Sequence, residues 1–196
     1  MASRLFIIRH GNTFGPGDII RRVGAGTDLP LVASGQAQAQ KLGAWFAAQD
    51  FRVDRLHCSP LLRARETAQA IATATGATAI ACPLLTEIDH GPDEGHPEED
   101  VIARIGADAL GAWDREAIPP PDWIVDAPAR IAAWQDYFRT VEPGVHLHVT
   151  SNGAARFALL AAGISAPSLK LRTGAFGELA VTDDGTVELL CWDERP

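Results

Sequence analysis

The chain has 196 residues, a hydrophobic content of 46% and a charged content of 21%, which suit one globular domain with a sizeable core. Its formal net charge of −8 argues against a general nucleic-acid binder, and no apolar stretch approaches the roughly 20 residues of a membrane span. The three cysteines are widely spaced, which indicates neither a disulfide framework nor a zinc site, and a cytoplasmic location is expected.

Apolar runs that fit β-strands alternate with helical patterns along the chain. The predicted strands cover residues 5–9, 55–58, 78–82, 145–150, 177–182 and 186–192. The last two flank Asp183-Asp184-Gly185, which is typical of a hairpin turn. This alternation predicts an α/β fold, namely a three-layer α/β/α sandwich around a mainly parallel sheet.

Two helix starts are predicted from capping residues. Ser34 is expected to cap the helix after the first loop, and Ser59 followed by Pro60 is expected to begin the next helix.

The stretch 88–141 is irregular at first and then helical, and three prolines at 119–121 are expected to divide it into two helices. Its aromatic residues are expected to form a small core of their own. We expect this stretch to be an insertion over the carboxyl edge of the sheet, within a single domain of residues 1–196.

Polar groups follow the carboxyl ends of the predicted parallel strands. The candidate site consists of Arg9, His10, Asn12, Arg63, Glu87, Asn152 and Gly153. In a parallel sheet these ends lie on one side, where open α/β sheets bind ligands. An imidazole can act as a nucleophile, and guanidinium groups and a helix N-terminus can hold phosphoryl oxygens. The pattern predicts a phosphate pocket that requires no metal, because the arginines supply the positive charge, and no cofactor is indicated.

Several motifs occur in a specific order. They are Arg9-His10-Gly11-Asn12-Thr13, Asp28-Leu29-Pro30-Leu31, Ser59-Pro60-Leu61-Leu62-Arg63-Ala64, and Leu85-Thr86-Glu87 followed by Gly91 and Glu94-Gly95. Arg-His-Gly alone is a weak signal, but the ordered set is specific. It resembles the histidine phosphatase superfamily, which includes the cofactor-dependent phosphoglycerate mutases, over about residues 4–95 and again near 147–160.

The resemblance implies a role for each site residue. His10 would attack phosphorus as a neutral imidazole and become a phosphohistidine. Arg9 and Arg63 would hold the phosphoryl oxygens, and Asn12 would add a donor. Glu87 would protonate the leaving oxygen and then take a proton from water. The expected partner is a small phosphorylated substrate or inorganic phosphate, with no nucleic acid and no membrane, and the oligomeric state stays open.

The chain departs from the family pattern at one position. The pattern usually has Ser-His-Gly after the fourth strand, whereas this chain has Ser151-Asn152-Gly153. Asn152 would bring a neutral amide donor to the phosphoryl group in place of a charge. Losing one donor at such a site typically costs ~10²–10³ in rate, and an uncharged donor should soften that loss.

We therefore expect a phosphomonoester hydrolase that is slow or unusually selective. A non-catalytic protein that binds a phospho-ligand is the alternative. A phosphoglycerate mutase ranks below both, because paired arginines that normally precede the mutase's proline segment are missing before residue 118.

Other polar residues have less specific interpretations. His146 and His148 face one side of a predicted strand, where they could bind a metal but are expected to be hydrogen-bonded core or edge residues. His90 and His96 lie in an acidic loop that is expected to be solvated, although either could reach the substrate. Arg156 is expected either in the pocket or paired with a carboxylate on its own helix.

Overall fold

Six strands form one sheet in a computed structural model that describes residues 3–166 and 168–196, so that residues 1, 2 and 167 of the predicted domain lie outside it. The strands are β1 (Ser3–Arg9), β2 (Arg55–Cys58), β3 (Ala79–Ala81), β4 (Val145–Thr150), β5 (Phe176–Val181) and β6 (Val187–Glu194). Their spatial order is β3-β2-β4-β1-β5-β6. The first four in this order are parallel to one another, β5 is antiparallel to β1, and β6 is antiparallel to β5. The predicted α/β fold with a mainly parallel sheet is confirmed.

Helices cover both faces of this sheet. They are α1 (Ala33–Ala47), α2 (Leu62–Thr75), α3 (Glu98–Ile105), α4 (Ala107–Glu116), α5 (Ala127–Thr140) and α6 (Asn152–Ala161). Successive side chains of a strand point to opposite faces, and β1 therefore contributes to two cores. Phe6 and Ile8 pack with residues of α1 and α2, whereas Leu5 and Ile7 pack with residues of α4, α5 and α6.

The two serine caps predicted from the sequence are wrong. Helix α1 begins after Val32 without a side-chain cap, and the Ser34 hydroxyl instead accepts a hydrogen bond from Asn12. Helix α2 begins only at Leu62, whose N–H donates to the Asp28 carboxylate over 2.6 Å. The cap of α2 therefore comes from a loop more than 30 residues earlier, a contact that local capping rules do not detect.

The stretch 88–141 holds three helices, one more than predicted. The additional break lies at Gly106, whose φ of +83° is favourable for glycine and ends α3 where α4 begins. The proline segment separates α4 from α5, as predicted.

The expectation of a separate aromatic core in this stretch is also wrong. Trp113, Trp123 and Trp134 are buried in the same apolar cluster as Leu5 and Ile7 of the sheet. The aromatic rings of the insertion therefore pack on the main core. None of the described helices has the length and apolar composition that a membrane crossing requires.

Candidate active site

A cavity of about 410 Å³ opens where β1 and β4 end. Six of the seven predicted site residues line it, namely Arg9, His10, Asn12, Glu87, Asn152 and Gly153. The seventh, Arg63, does not line the cavity but contacts His10. The structure thus brings together groups that lie more than 140 residues apart in the sequence.

His10 is a buried, neutral imidazole with one ring nitrogen held by the backbone. Its Nδ1 lies 2.7 Å from the carbonyl oxygen of Gly11, and since a carbonyl can only accept, Nδ1 carries the proton. The lone pair is then on Nε2, which accepts a hydrogen bond of 3.2 Å from Arg63 Nε. Burial, followed by the charges of Arg63 and Arg9, lowers the pKa of His10 well below 6.5. The imidazole is therefore in the form that a nucleophile requires.

Two arginines lie near this imidazole. Arg63 is buried, and its Nη1 and Nη2 donate to the carbonyl oxygens of Thr27 and Gly24 over 2.7 and 3.1 Å. Arg9 Nη1 donates to Leu171 O over 2.6 Å, while its buried Nε has no partner among the described residues. Burial lowers the pKa of Arg9 to about 10, so that it remains charged at neutral pH. Both guanidinium groups can balance the charge of a bound phosphoryl group.

The loop after His10 is held tightly against α1. A side chain at Gly11 would place its Cβ 2.3 Å from the carbonyl oxygen of Gly35, so only glycine permits this approach. Asn12 Nδ2 donates to Ser34, and its Oδ1 accepts a hydrogen bond from Thr173. The role of Asn12 as a phosphate donor stays a prediction, because its amide already has protein partners.

The Glu87 carboxylate lies at the N-terminus of α6. It accepts hydrogen bonds from Ile88 N over 2.8 Å and from Gly153 N over 2.9 Å, which is favourable because helix N-termini attract negative charge. Arg130 of α5 also binds this segment, because its Nη1 donates to the Thr86 carbonyl oxygen over 3.0 Å.

Gly153 leaves room for that carboxylate. A Cβ at this position would lie 2.4 Å from Glu87 Oε1 and 2.9 Å from Ile88 Cγ1. The prediction that Gly153 binds phosphate stays untested. In the structure its N–H donates a hydrogen bond to the Glu87 carboxylate.

Neighbouring carboxylates that could be confused with Glu87 have other partners. Asp93 is bound by Arg104 and by Trp123 Nε1, and Glu94 accepts from the Thr27 hydroxyl. Asp89 accepts from Gly91 N, which leaves Glu87 as the carboxylate beside Asn152 in the cavity wall.

Asn152 lines the cavity, and its side-chain oxygen already accepts a hydrogen bond. Oδ1 accepts a hydrogen bond of 2.9 Å from Leu171 N, so the amide is anchored and its Nδ2 is the group left to donate.

Arg156 lies behind the cavity and not in its wall. Its guanidinium stacks on Trp113 at 3.9 Å and donates to the carbonyl oxygen of that residue. The nearest carboxylate is Asp114 at 3.9 Å, which belongs to α4, so the expected pairing within its own helix is wrong. Burial lowers the pKa of Arg156 to about 10.

The cavity is also lined by residues that the sequence motifs did not identify one by one. Arg22, Glu98 and Trp113 are among them, and no local pattern links them because they come from three separate segments. His90 also lines the cavity, and the expectation of a solvated loop is wrong for it, since it is buried edge-on against Trp123. Burial lowers the pKa of His90 to about 4.

His146 and His148 lie on β4, on the side of the sheet that packs against α5. His146 is hydrogen-bonded as expected, with Nε2 donating to Glu142 O and Nδ1 accepting from Tyr137, each over 2.9 Å. His148 is buried with no partner for either ring nitrogen among the described residues, so the expectation of hydrogen bonding is wrong for it. Within residues 3–166 and 168–196, no group of three or more histidine, cysteine or acidic side chains could hold a metal.

The sequence model of the histidine phosphatase superfamily, branch 1, matches residues 5–192. The chain belongs to this superfamily. Its relatives include the 2,3-bisphosphoglycerate-dependent phosphoglycerate mutases of Brucella anthropi and Brucella ovis, with 29% and 28% identity over 151 residues. Each of these alignments covers 74% of this chain and 71% of the relative.

Solved structures show the same histidine phosphatase fold. The alpha-ribazole phosphatase from Shigella flexneri superposes with a TM-score of 0.75 and 23% identity, over 98% of this chain and 96% of that one. The mycobacterial glucosyl-3-phosphoglycerate phosphatase gives a TM-score of 0.76 and 20% identity, over 98% and 99% of the two chains. Because these sequence identities are low, the structural likeness establishes the fold alone.

Proposed function

We propose that this protein is a phosphomonoester hydrolase that works through a phosphohistidine at His10. The observation that carries the proposal is the state of His10, a neutral imidazole in the wall of a cavity, whose Nε2 lone pair contacts Arg63 and which also feels the charge of Arg9. A phosphate ester bound there would meet a nucleophile and its counter-charges together.

The first step transfers the phosphoryl group to the protein. His10 Nε2 forms a bond to phosphorus while the bond from phosphorus to the ester oxygen breaks. Arg9 and Arg63 hold the phosphoryl oxygens, for which Arg63 exchanges its contact with His10 for one with the phosphoryl group. Glu87 acts here in its protonated form: it donates its proton to the leaving alcohol and becomes the carboxylate that the second step requires.

The second step regenerates the imidazole. Water attacks phosphorus as Glu87 removes its proton, the N–P bond breaks, and inorganic phosphate leaves. Anchoring of Glu87 by Gly153 N keeps the carboxyl on one side of the reacting group through both steps. Asn152 contributes a neutral donor, which predicts slow turnover of simple esters.

A mutase is the second candidate, because the Brucella relatives carry that name. A mutase would need a bisphosphoglycerate primer, whereas a hydrolase releases inorganic phosphate without one. A non-catalytic phospho-ligand binder is the candidate from outside the enzymes, and it predicts binding of phosphate esters without turnover.

The test measures phosphate release from p-nitrophenyl phosphate and from alkyl phosphates, without primer, for the wild type and His10→Ala. Rapid acid-free quenching with ³²P-labelled substrate would trap the phosphohistidine. The exposed His96 offers a matched control as His96→Ala. Release that depends on His10 and not on His96 supports the proposal, whereas equal rates in the wild type and His10→Ala reject it for these substrates.

A further inference from the structure

The cavity that His10 lines is also lined by an ion pair between Arg22 and Glu98. This inference rests on the proposed phosphatase activity, in which the leaving group of the substrate shares the cavity with this ion pair. The charges there then decide which leaving groups are accepted.

Backbone pairing fixes the position of both residues. Arg22 N donates to His96 O over 2.9 Å, and Gly95 N donates to Arg22 O over 2.8 Å. Glu98 N donates to Ile20 O over 3.1 Å. The two segments are thus joined side by side, so the ion pair forms between pre-positioned side chains at little conformational cost.

The Arg22 guanidinium has limited freedom to leave this pair. Its side chain is 18% exposed against 39% for Glu98, and it lies 5.2 Å from the centre of the Trp123 ring. Its Nη2 donates to Glu98 Oε1. A cation held in this way can donate further hydrogen bonds, but its charge is already matched.

Two lining groups near this ion pair, His90 and Arg21, add little charge. The carboxylate of Asp93, which also interacts with Arg22, is matched by Arg104. His90 is neutral because burial lowers its pKa to about 4. Arg21 also lines the cavity, but it is exposed, and its Nη1 donates to Gly95 O, so that water screens its charge.

We propose that Glu98 is a specificity-determining residue that neutralises Arg22 and thereby selects phosphate esters of neutral, hydroxylated leaving groups over those that carry a carboxylate. Hydroxyl groups both donate and accept, so they can bond to Glu98, Arg22 and His90 at once. A carboxylate would have to displace Glu98 from Arg22 or lie beside it as a like charge.

A matched pair of compounds tests this directly. Glycerol 3-phosphate and 3-phosphoglycerate share the phosphate ester and the adjacent hydroxyl, and they differ by a CH₂OH group against a carboxylate. We expect the wild type to favour glycerol 3-phosphate by at least about tenfold in kcat/KM. Glu98→Gln should move this ratio by about tenfold towards 3-phosphoglycerate.

Two further variants test whether the change in the ratio comes from the pairing of Glu98 with Arg22. Glu99→Gln changes the next, exposed residue of α3 and should leave the ratio unchanged. The double variant Arg22→Gln/Glu98→Gln should lose the gain on 3-phosphoglycerate, because the cation that accepts the carboxylate is then absent. A wild type that treats both compounds alike, an unchanged ratio in Glu98→Gln, or a gain that persists in the double variant would each overturn the proposal.

Binding measurements test the role of Glu98 independently of the proposed phosphatase activity. Calorimetry with both compounds on His10→Ala and on His10→Ala/Glu98→Gln should show the same tenfold movement of the affinity ratio without turnover. If no compound releases phosphate from the wild type, the proposed activity fails, while the affinity ratio still decides the role of Glu98. Thermal melting of each variant checks that it is folded.

Discussion

His10 directly follows β1, and His148 lies on the adjacent parallel strand β4. Both imidazoles are buried, and burial lowers the pKa of each well below 6.5. Their surroundings differ. His10 lies beside Arg63 and lines a cavity, whereas the centre of the His148 ring lies 5.4 Å from that of Trp134 and 4.9 Å from that of Tyr137.

This difference separates neutrality from reactivity. Burial is the largest cause of the neutral state of both imidazoles, because a low-dielectric environment disfavours the charged form. Only His10 also has counter-charges for a phosphate, a nearby carboxyl group and space for a ligand. The predictions below test this contrast, from the largest expected effect to the smallest.

Replacement of His10 by alanine should lower phosphatase turnover by at least about 10⁴-fold, because it removes the proposed nucleophile. His148→Leu should retain turnover within a few-fold of the wild type. Phosphate release and ³²P-trapping measure both variants. Comparable losses in the two variants would contradict the contrast, because they would show that the cavity and the nearby arginines do not set His10 apart from His148.

Glu87→Gln should lower kcat/KM for alkyl phosphates by roughly 10²–10⁴, because their leaving oxygen needs a proton. The loss should be much smaller for p-nitrophenyl phosphate, whose leaving group is stable as an anion. Glu116→Gln changes an exposed carboxyl on α4 and serves as the control. A uniform loss across leaving groups would argue against the general-acid role.

Asn152→His should raise turnover of simple phosphomonoesters by about 10²-fold, since a charged donor replaces a neutral one at the phosphoryl group. The same assay on Asn152→Ala should show a further decrease from the wild type. If histidine leaves the rate unchanged or lowers it, Asn152 serves a different chemistry, in which its bond to Leu171 N is what matters.

Gly153→Ala should displace the Glu87 carboxylate, because the added Cβ would lie 2.4 Å from Oε1. We expect a loss of roughly 1–3 kcal/mol in the free energy of unfolding and about tenfold in alkyl phosphate turnover. Gly15→Ala is a suitable control, since its Cβ would meet no atom closer than 3.5 Å. Chemical denaturation and steady-state kinetics distinguish the two variants, and equal behaviour would contradict the packing argument.

The pH dependence of stability should report on His148. Its pKa is lowered in the folded protein, so below pH 6.5 the unfolded chain binds a proton that the folded chain does not, and the free energy of unfolding falls with falling pH. His148→Leu should reduce this slope by up to about 1.4 kcal/mol per pH unit between pH 6.5 and 5. Denaturant titrations of both proteins at several pH values test it, and an unchanged slope in His148→Leu would contradict it.

The sequence by itself determined the α/β fold, the parallel strands and the family, because alternating patterns and short ordered motifs are local properties of the chain. It also identified His10, Arg63 and Glu87, since each lies within such a motif and the carboxyl ends of parallel strands share one edge.

Only the tertiary structure decided which groups touch. The bond between Glu87 and Gly153 spans 66 residues, and the pair of Arg22 with Glu98 spans 76. The cap of α2 by Asp28 and the packing of the insertion's tryptophans on the main core also join segments that are distant in the sequence. Such contacts depend on how distant segments pack, and neither periodicity nor capping rules carry that information, because both describe only neighbours along the chain.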